Sequence, residues 1–156
     1  MDGYHFPKHK LDEEGIKRRG AHWTFDASAF ASLVGKLLQV PHHDVRVNGW
    51  SHEKGDPDFD ALTVPKEAEI ILIEGLHLFL DISPWNTIPS KCDICIWIDV
   101  DLETALLRLE KRHVATGLSR SIEEARLRIQ GNDRLNAQFL KDHRLVPENV
   151  INLANS

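Results

Sequence analysis

The sequence predicts an α/β fold with a mostly parallel sheet, because two buried-strand patterns alternate with amphipathic helices. Residues 69–75 form a continuous apolar run that is closed by Glu74 and a glycine, and residues 94–100 form a second run of this kind. Runs without polar alternation are typical of strands buried on both faces, as in parallel sheets. A helical pattern precedes the first run and two more follow the second. This order of elements favours one α/β domain.

Three helices are predicted from apolar spacing and capping residues. Asp26 is a candidate N-cap for a helix whose apolar face runs through residues 30–38, and Pro41 is expected to end it. A helix of about four turns is predicted to follow the second apolar run. Ser121, with Glu124 three residues later, forms a capping box for the last helix.

The remaining segments are predicted as one strand and several loops. Residues 150–153 are expected to form a last strand. Residues 1–25 are predicted as loop with one short helix, and residues 41–68 as a long loop. Residues 76–90, which contain two prolines, show a poor helix pattern.

Length, charge and cysteine content limit the kind of protein this is. The chain has 156 residues, 42% of them hydrophobic and 28% charged, which suits one domain with its own core. Its formal net charge of −5 argues against general nucleic-acid binding. There is no apolar run of membrane-spanning length, no signal-peptide pattern, and only two cysteines. We expect a cytoplasmic protein whose partner is a small molecule, not a nucleic acid or a membrane.

Two carboxylates are candidates for chemistry at the edge of the sheet. Ligands of open parallel sheets bind beyond the carboxyl ends of the strands, where Glu74 is expected. Glu74 could hold a metal ion or a metal-bound water, or be a plain strand-end acid. Asp2, followed by a glycine and Tyr4, could act as general base on a substrate hydroxyl, or lie in an unstructured tail.

Arginines form the second candidate feature. Arg108 and Arg112 are four residues apart and therefore share one helix face, and Gly117 ends that segment. Such arginines beside a glycine break are typical of a mobile lid that closes on phosphates. The alternative is a surface helix with ion pairs such as Glu124 with Arg128. Further upstream, Arg18 and Arg19 precede two aromatic residues, which suggests either anion or sugar recognition or a solvated loop.

Cysteine and histidine patterns carry weaker signals. Cys92 and Cys95 have the CxxC spacing, but they enter a buried strand, whereas a redox thiolate needs a helix N-terminus. No second pair completes a zinc site, and the nine histidines show no recognised ligand spacing.

Six ordered blocks together resemble the uridine kinase, phosphoribulokinase and pantothenate kinase group of P-loop kinases, most closely its uncharacterised bacterial and fungal kinase-like branch. The blocks are similar to the family patterns DGFH, RRGAPWTFD, FDHxxxDP, IVEG, RxxxRHxxxG and EEAxxRxxxNDxxNA. They lie at residues 2–5, 18–26, 51–57, 71–75, 108–117 and 124–137. His22 stands where the second block usually has proline, and Ser51 replaces the first aspartate of the third. The likeness spans residues 2–153, almost the whole chain.

The phosphate-binding loop of that family, GxxxxGK[ST], does not occur in the 156 residues. Gly35-Lys36 is followed by Leu37 within an apolar helix, which cannot cradle phosphates. We therefore expect a single truncated domain over residues 1–156, with the N-terminal strand–P-loop–helix unit missing. Residues 101–145 would form the lid and the helix that follows it. The sheet would then expose an edge, which a homodimer or a partner chain could cover.

The resemblance implies ATP-dependent phosphorylation of a hydroxyl on a small molecule such as a nucleoside, a sugar or a pantothenate-like compound, with ATP and Mg²⁺. We expect the chain to be catalytically impaired; the alternative is a non-catalytic small-molecule-binding or interaction protein derived from such a kinase. The implied catalytic residues are Asp2, as base, Glu74, which would hold Mg²⁺ directly or through water, Arg108 and Arg112. The implied substrate-binding residues are Tyr4, His5, Arg19, His52 and Asp56. The implied ATP-binding residues are Arg108, Arg112 and His113.

Overall fold

The computed structural model describes residues 1–39 and 43–154, and it confirms the α/β class. The helices are α1 (Glu13–Lys17), α2 (Ala27–Leu38), α3 (Leu102–Ala115), α4 (Ile122–Arg128) and α5 (Arg134–Asp142). The strands are β1 (Val45–Ser51), β2 (Asp56–Val64), β3 (Cys95–Asp99) and β4 (Val150–Ala154). Single 3₁₀ turns connect them at Asp2–Tyr4, Lys8–Lys10, His22–Thr24, Trp85–Thr87 and Pro89–Lys91.

The predicted helix starts are confirmed by their caps. The Asp26 carboxylate accepts a hydrogen bond from the N–H of Ala29 at 2.9 Å and begins α2. The Ser121 hydroxyl accepts from the N–H of Glu124 at 3.2 Å and begins α4. The Glu124 carboxylate accepts in turn a hydrogen bond from the N–H of Arg120, so both side chains of the predicted capping box bind backbone N–H groups at the start of α4. Helix α2 ends at Leu38, and the predicted stop, Pro41, lies outside the described residues.

The predicted last helix is interrupted by a π-helical turn. Helix α4 runs into the π turn Ile129–Asp133, which leads directly into α5. Such a turn holds one extra residue and is common at functional sites. It places Ile129 and Asn132 in the interior of the protein.

The parallel sheet has fewer strands than the sequence predicts. Strands β3 and β4 pair in parallel, with Ile96 opposite Ile151 and Ile98 opposite Leu153. The prediction of a buried strand at residues 69–75 is wrong, because this segment forms no strand, pairs with no strand among the described residues and is largely exposed. Its apolar run fits a sheet interior, but residues 1–39 and 43–154 supply no neighbouring strand to bury it.

The prediction of a loop at residues 41–68 is also wrong. Strands β1 and β2 form an antiparallel hairpin within it, paired from Val45 opposite Val64 to Ser51 opposite Asp56. The tight turn uses Gly55, whose φ of +60° favours glycine. A loop was predicted because glycines and prolines interrupt the segment, at Gly49, Gly55, Pro57 and Pro65, and β2 is largely exposed.

The hydrophobic core is an aromatic cluster between α2, the 3₁₀ turns and the inner face of β3. Trp85 and Leu80 are fully buried at its centre, and the Trp85 ring contacts Phe25 and Phe30. The cluster anchors the N-terminal turn as well, because the Tyr4 ring packs edge-on against Phe30 at 5.1 Å. Among the described residues, no helix is long and apolar enough to cross a membrane.

Candidate functional site

The structure brings the segments of the two candidate carboxylates together. The N-terminal ammonium group of Met1 donates a hydrogen bond to the backbone carbonyl of Glu74 at 2.8 Å. The Met1 side chain lies against Gly75 so closely that a Cβ there would collide with it. Asp2 follows Met1 in the chain, and both Asp2 and Glu74 are exposed. The segments that carry these two carboxylates are distant in the sequence and are therefore adjacent in the fold.

Asp2, Tyr4 and His5 share one 3₁₀ turn but have different surroundings. The His5 Nδ1–H donates to the backbone carbonyl of Asp2 at 2.9 Å, and its ring lies 3.8 Å from the ring of Phe25 and 4.9 Å from that of Trp50. Burial lowers the pKa of His5, so its ring is neutral near pH 7. Tyr4 belongs to the core, and burial raises its pKa.

A cavity of about 270 Å³ opens beside this turn. One side is formed by the turn and its continuation from Gly3 to Pro7. The other side carries polar groups, a carboxylate, an amide and an amine, together with one exposed ring. These side chains belong to Asp26, Asn48, Lys10 and Phe59. The cavity combines hydrogen-bonding groups with an aromatic wall, as small polar ligands require.

Arg19 and Asp56, both predicted to bind substrate, are bound to each other. The Arg19 guanidinium lies 2.5 Å from the Asp56 carboxylate, and it also donates to the carbonyls of Gly55 and Phe6. Its plane stacks over Trp50, with the guanidinium carbon 5.2 Å from the ring centroid.

These contacts also set the ionisation of Asp56. Burial opposes the charge of Asp56, but hydrogen bonds from Arg19 and from the N–H of Lys8 hold the pKa of this carboxyl below its usual value. The pair fastens the β1–β2 hairpin to the loop at residues 18–20 and, through Phe6 and Lys8, to the segment that follows the N-terminal turn. His52, predicted to bind substrate, lies exposed in the hairpin turn and takes no part in the contacts of Arg19 with Asp56.

Arg18 is held by two asparagines that the sequence analysis did not single out as site residues. Its guanidinium donates to the side-chain carbonyl of Asn132 at 3.0 Å and to that of Asn136 at 3.1 Å. The Asn132 amide donates to the backbone carbonyl of Arg19 at 2.9 Å, and the Asn136 amide donates to Asn132 at 3.2 Å. Both asparagines are buried. Their spacing of four residues along a predicted helix was the one signal that they share a face.

His77 holds the same loop from the side of the core. Its Nε2–H donates to the carbonyl of Gly20 at 2.9 Å, and its ring contacts Phe25 and Trp85. Burial lowers the pKa of His77 to about 4, although the hydrogen bond to Gly20 acts in the opposite direction. The loop at residues 18–20 is thus fixed by the π turn, the hairpin and the core together.

The predicted lid arginines lie at the carboxyl end of β3. Arg108 and Arg112 line a cavity of about 230 Å³ together with Val100 and Leu109. The predicted pair Glu124–Arg128 is not among the ion pairs of the described residues, whereas Glu110 pairs with Arg126 at 3.2 Å between α3 and α4.

His113, predicted to bind ATP, is buried in the last turn of α3. Its Nε2 lies 3.9 Å from the carboxylate of Asp133 in the π turn. Burial lowers the pKa of His113 and raises that of Asp133, so burial opposes the charge on both groups. The cavity between β3 and α3 is lined by Arg108 and Arg112 and not by His113.

The carboxylates near the candidate site suit a cation whose shell is filled mostly by water and by the phosphates of a bound substrate. No group of three or more histidine, cysteine, aspartate or glutamate side chains comes together among residues 1–39 and 43–154. Glu74 supplies one exposed carboxylate, and Mg²⁺ typically takes one or two carboxylates, with waters and substrate phosphates completing its shell. Burial raises the pKa of the thiols of Cys92 and Cys95, which disfavours a redox thiolate.

Comparison with known proteins shows that the chain has clear sequence relatives, including one from Aspergillus and one from fission yeast. The chain is 34% identical to the ATP-dependent kinase-like protein notR' of Aspergillus versicolor, and the match covers 97% of this chain and 92% of that protein. It is 33% identical to a Schizosaccharomyces pombe protein provisionally named as a uridine kinase, over 97% of this chain and 66% of that protein. No family profile matches the chain.

A solved structure shares the fold. The crystal structure of YFH7 from Saccharomyces cerevisiae, provisionally described as a P-loop-containing kinase with a circular permutation, superposes with a TM-score of 0.84 at 28% identity. The match covers all of this chain and 57% of that one. The chain therefore spans nearly all of the Aspergillus relative, about two thirds of the fission-yeast relative and little more than half of YFH7.

Proposed function

Because the chain belongs to the P-loop kinase group of uridine-kinase-like proteins, we propose that it binds a small hydroxyl-bearing acceptor and takes part in its ATP-dependent phosphorylation. The observation that supports the proposal is the contact between Met1 and the Glu74 carbonyl, which brings the segments that carry Asp2 and Glu74 together. One carboxylate can then serve the acceptor while the other serves the cation.

In the proposed reaction Asp2 is the general base. The acceptor hydroxyl gives its proton to the Asp2 carboxylate while its oxygen forms a bond to the γ-phosphorus of ATP. The bond between that phosphorus and the bridging oxygen breaks, and ADP leaves. Asp2 suits this role because its carboxylate is exposed and lies on a turn fixed by the core.

Glu74 and the lid arginines would stabilise the charge on the phosphates. Mg²⁺, when bound with ATP, neutralises phosphate charge and helps to align the transferred group. Glu74 would hold that ion directly or through water. Arg108 and Arg112, which line the cavity at the end of β3, would bind the phosphate oxygens.

The acceptor would occupy the cavity of about 270 Å³ beside Tyr4 and His5. Asp26 and Asn48 supply hydrogen-bond acceptors and a donor, and Phe59 supplies a flat apolar wall. Arg19 and Asp56 would shape the cavity by fixing the hairpin that carries Asn48 and Phe59. A nucleoside, a sugar or a pantothenate-like compound has hydroxyls and a size suited to such a cavity.

A second candidate is a non-catalytic protein that binds the same kind of small molecule. It is favoured by the lack of the sequence GxxxxGK[ST] in the 156 residues, because that loop and its lysine hold the phosphates of ATP. In this case the acceptor cavity would be retained without phosphoryl transfer.

Calorimetry and a transfer assay separate the two candidates. Mg·ATP is titrated into the chain, and transfer of the γ-phosphate is then measured with nucleosides, sugars and pantothenate as acceptors. We expect micromolar binding of Mg·ATP and transfer to one acceptor class. Acceptor binding without Mg·ATP binding would support the non-catalytic candidate.

Two variants test the assignment of the base. Asp2→Asn removes the proton acceptor and should lower kcat by at least about 100-fold, the usual contribution of general-base catalysis. Glu148→Gln alters an exposed carboxylate in the loop before β4 and serves as the matched control. Equal rates for Asp2→Asn and the control would show that Asp2 is not the base.

A further inference from the structure

The His5 ring is held in one orientation at the edge of the candidate acceptor cavity. It packs against Phe25, with ring centroids 3.8 Å apart, and against Trp50 at 4.9 Å. The ring Nδ1–H donates to the carbonyl of Asp2 at 2.9 Å, and the backbone N–H of His5 donates to the same oxygen at 3.1 Å. His5 is also one of the residues that line the cavity of about 270 Å³. A rotation of the ring would break these contacts.

The hydrogen bond to Asp2 determines which ring nitrogen carries the proton. A carbonyl oxygen can only accept, so Nδ1 is the protonated nitrogen. Because the ring is neutral near pH 7, Nε2 then carries a lone pair and no hydrogen. Within residues 1–39 and 43–154 no donor binds Nε2, and this atom is not sealed from solvent. His5 thus offers one free hydrogen-bond acceptor at the cavity.

A ligand group that binds Nε2 must donate a hydrogen bond. A hydroxyl does so, whereas a carboxylate or a phosphate would set its own lone pairs against that of Nε2. The Asp2 carboxylate lies near enough for its charge to act on the His5 ring. The donor group must therefore stand close to the hydroxyl that Asp2 would deprotonate.

We propose that His5 selects an acceptor with two hydroxyls close together, of which one gives its proton to Asp2 and the other donates a hydrogen bond to Nε2 of His5. The acceptor is then a polyol, such as a sugar, a nucleoside or a pantothenate-like compound, and not a simple alcohol. This inference rests on the proposed function, because it takes the cavity as the place of the acceptor. His5 acts here by binding and takes no proton from the reacting hydroxyl.

Calorimetry without ATP measures acceptor binding apart from phosphoryl transfer. The probes are uridine, D-ribose and pantothenate, each compared with analogues that lack one hydroxyl. For each probe that binds, loss of the hydroxyl at His5 should weaken binding about fivefold, the fold-change that one neutral hydrogen bond usually supports. His5→Phe keeps an aromatic ring beside Phe25 and Trp50 and removes Nε2. This variant should bind the parent probe about fivefold more weakly and should no longer distinguish it from that analogue.

Two further variants supply the control and the rescue. His9 is exposed in the next 3₁₀ turn and lies outside the lining of the cavity. His9→Phe is therefore the matched control and should bind every probe as the unaltered chain does. His5→Gln places an amide oxygen that can accept a hydrogen bond where the ring stood, so it should recover most of the affinity.

The pH dependence of binding is an independent readout. Burial lowers the pKa of His5 below its usual 6.5; the Asp2 carboxylate opposes this shift, and the charges of Arg19 and the N-terminal ammonium add to it. Protonation turns Nε2 from an acceptor into a donor, so binding should weaken as the pH falls through that pKa. The neighbouring His77, with a pKa of about 4, stays neutral until lower pH. His5→Gln has no titrating ring, so its affinity should not change over the same range.

Three results would overturn the proposal: binding of none of the probes, analogues that bind as tightly as their parents, or nitrogen NMR that finds the proton on Nε2 near pH 7. The proposed function fails in a different way. Phosphorylation of a probe that binds equally well without its second hydroxyl would keep the proposed function and remove the role of His5. Selection of the second hydroxyl by His5 without any phosphoryl transfer would do the reverse.

Discussion

The hydrogen bonds of Asn132 give the sharpest test of how the candidate site is held together. We consider the substitution Asn132→Leu, which keeps a similar side-chain size and removes every polar atom. In the structure Asn132 accepts from Arg18 and from Asn136, and it donates to the carbonyl of Arg19. The substitution therefore breaks three hydrogen bonds, one of them to a charged group.

The expected cost follows from those three contacts. A hydrogen bond to a charged group contributes about 1.5–3 kcal/mol, and each neutral one about 1 kcal/mol. The Arg18 guanidinium is partly buried, so water replaces only some of what it loses. We expect the free energy of unfolding to fall by roughly 3–5 kcal/mol, which corresponds to a Tm lower by roughly 10 °C. Typical domain stabilities are only about 5–15 kcal/mol, so the effect should be easy to detect.

Urea unfolding followed by circular dichroism measures the change. Gln138→Leu is the control, because Gln138 makes one exposed hydrogen bond, to Asp142 on the same helix, and should cost no more than about 0.5 kcal/mol. Asn132→Asp keeps the oxygen that faces Arg18 and loses the donor to Arg19, so its loss should be intermediate. If Asn132→Leu and Gln138→Leu lose the same stability, the asparagine network does not hold the loop.

Three further predictions concern titration and backbone conformation. The pKa of His77 is about 4 in the folded protein and near 6.5 when unfolded, so stability should decline as pH falls from 6.5 toward 4; NMR titration of the ring and Tm against pH check this. The pKa of Asp56 is below its usual 3.8, so the stability that its pair with Arg19 contributes is full above pH 3.8 and is lost as the pH falls further. Asp56→Asn should therefore flatten the plot of Tm against pH below pH 3.8. An unchanged slope there would exclude the pair with Arg19 as its cause. Gly20 has a φ of +107°, so Gly20→Ala should cost about 1–2 kcal/mol by urea unfolding, whereas Gly131→Ala, in a helical turn with open space around it, should be neutral or stabilising.

Local sequence signals predicted the elements that depend mainly on residues close to them in the sequence. Asp26 and Ser121 were identified as caps because a cap needs only a short side chain and three residues of helix. The strand at residues 95–99 and its partner at residues 150–154 were found from their apolar character. The segment at residues 69–75 has the same character but pairs with no strand in the part of the chain that the structure describes, because pairing depends on a neighbour and not on the segment itself.

The sequence predicted several of the segments that form the candidate site, but it did not predict the contacts that their side chains make. Arg19 and Asp56 were chosen as substrate-binding residues, and the structure shows that they bind each other. The contact between Met1 and Glu74 joins residues 73 positions apart, and no periodicity in the sequence reports such a contact. The role of Asp2 is a prediction that the Asp2→Asn variant tests, and the roles of the lid arginines also stay predictions.

The π turn at Ile129–Asp133 is a place where the chain can lose one residue without disturbing the helices on either side. Because the turn holds one extra residue, loss of one residue would restore ordinary α-helical winding, whereas the same loss from a regular helix would rotate everything that follows by about 100°. Asn136 would then still face Arg18, and Ala125, before the turn, would keep its place. One-residue alignment gaps between related chains should therefore fall at this turn, near exposed Gly131, and avoid α3 and α5.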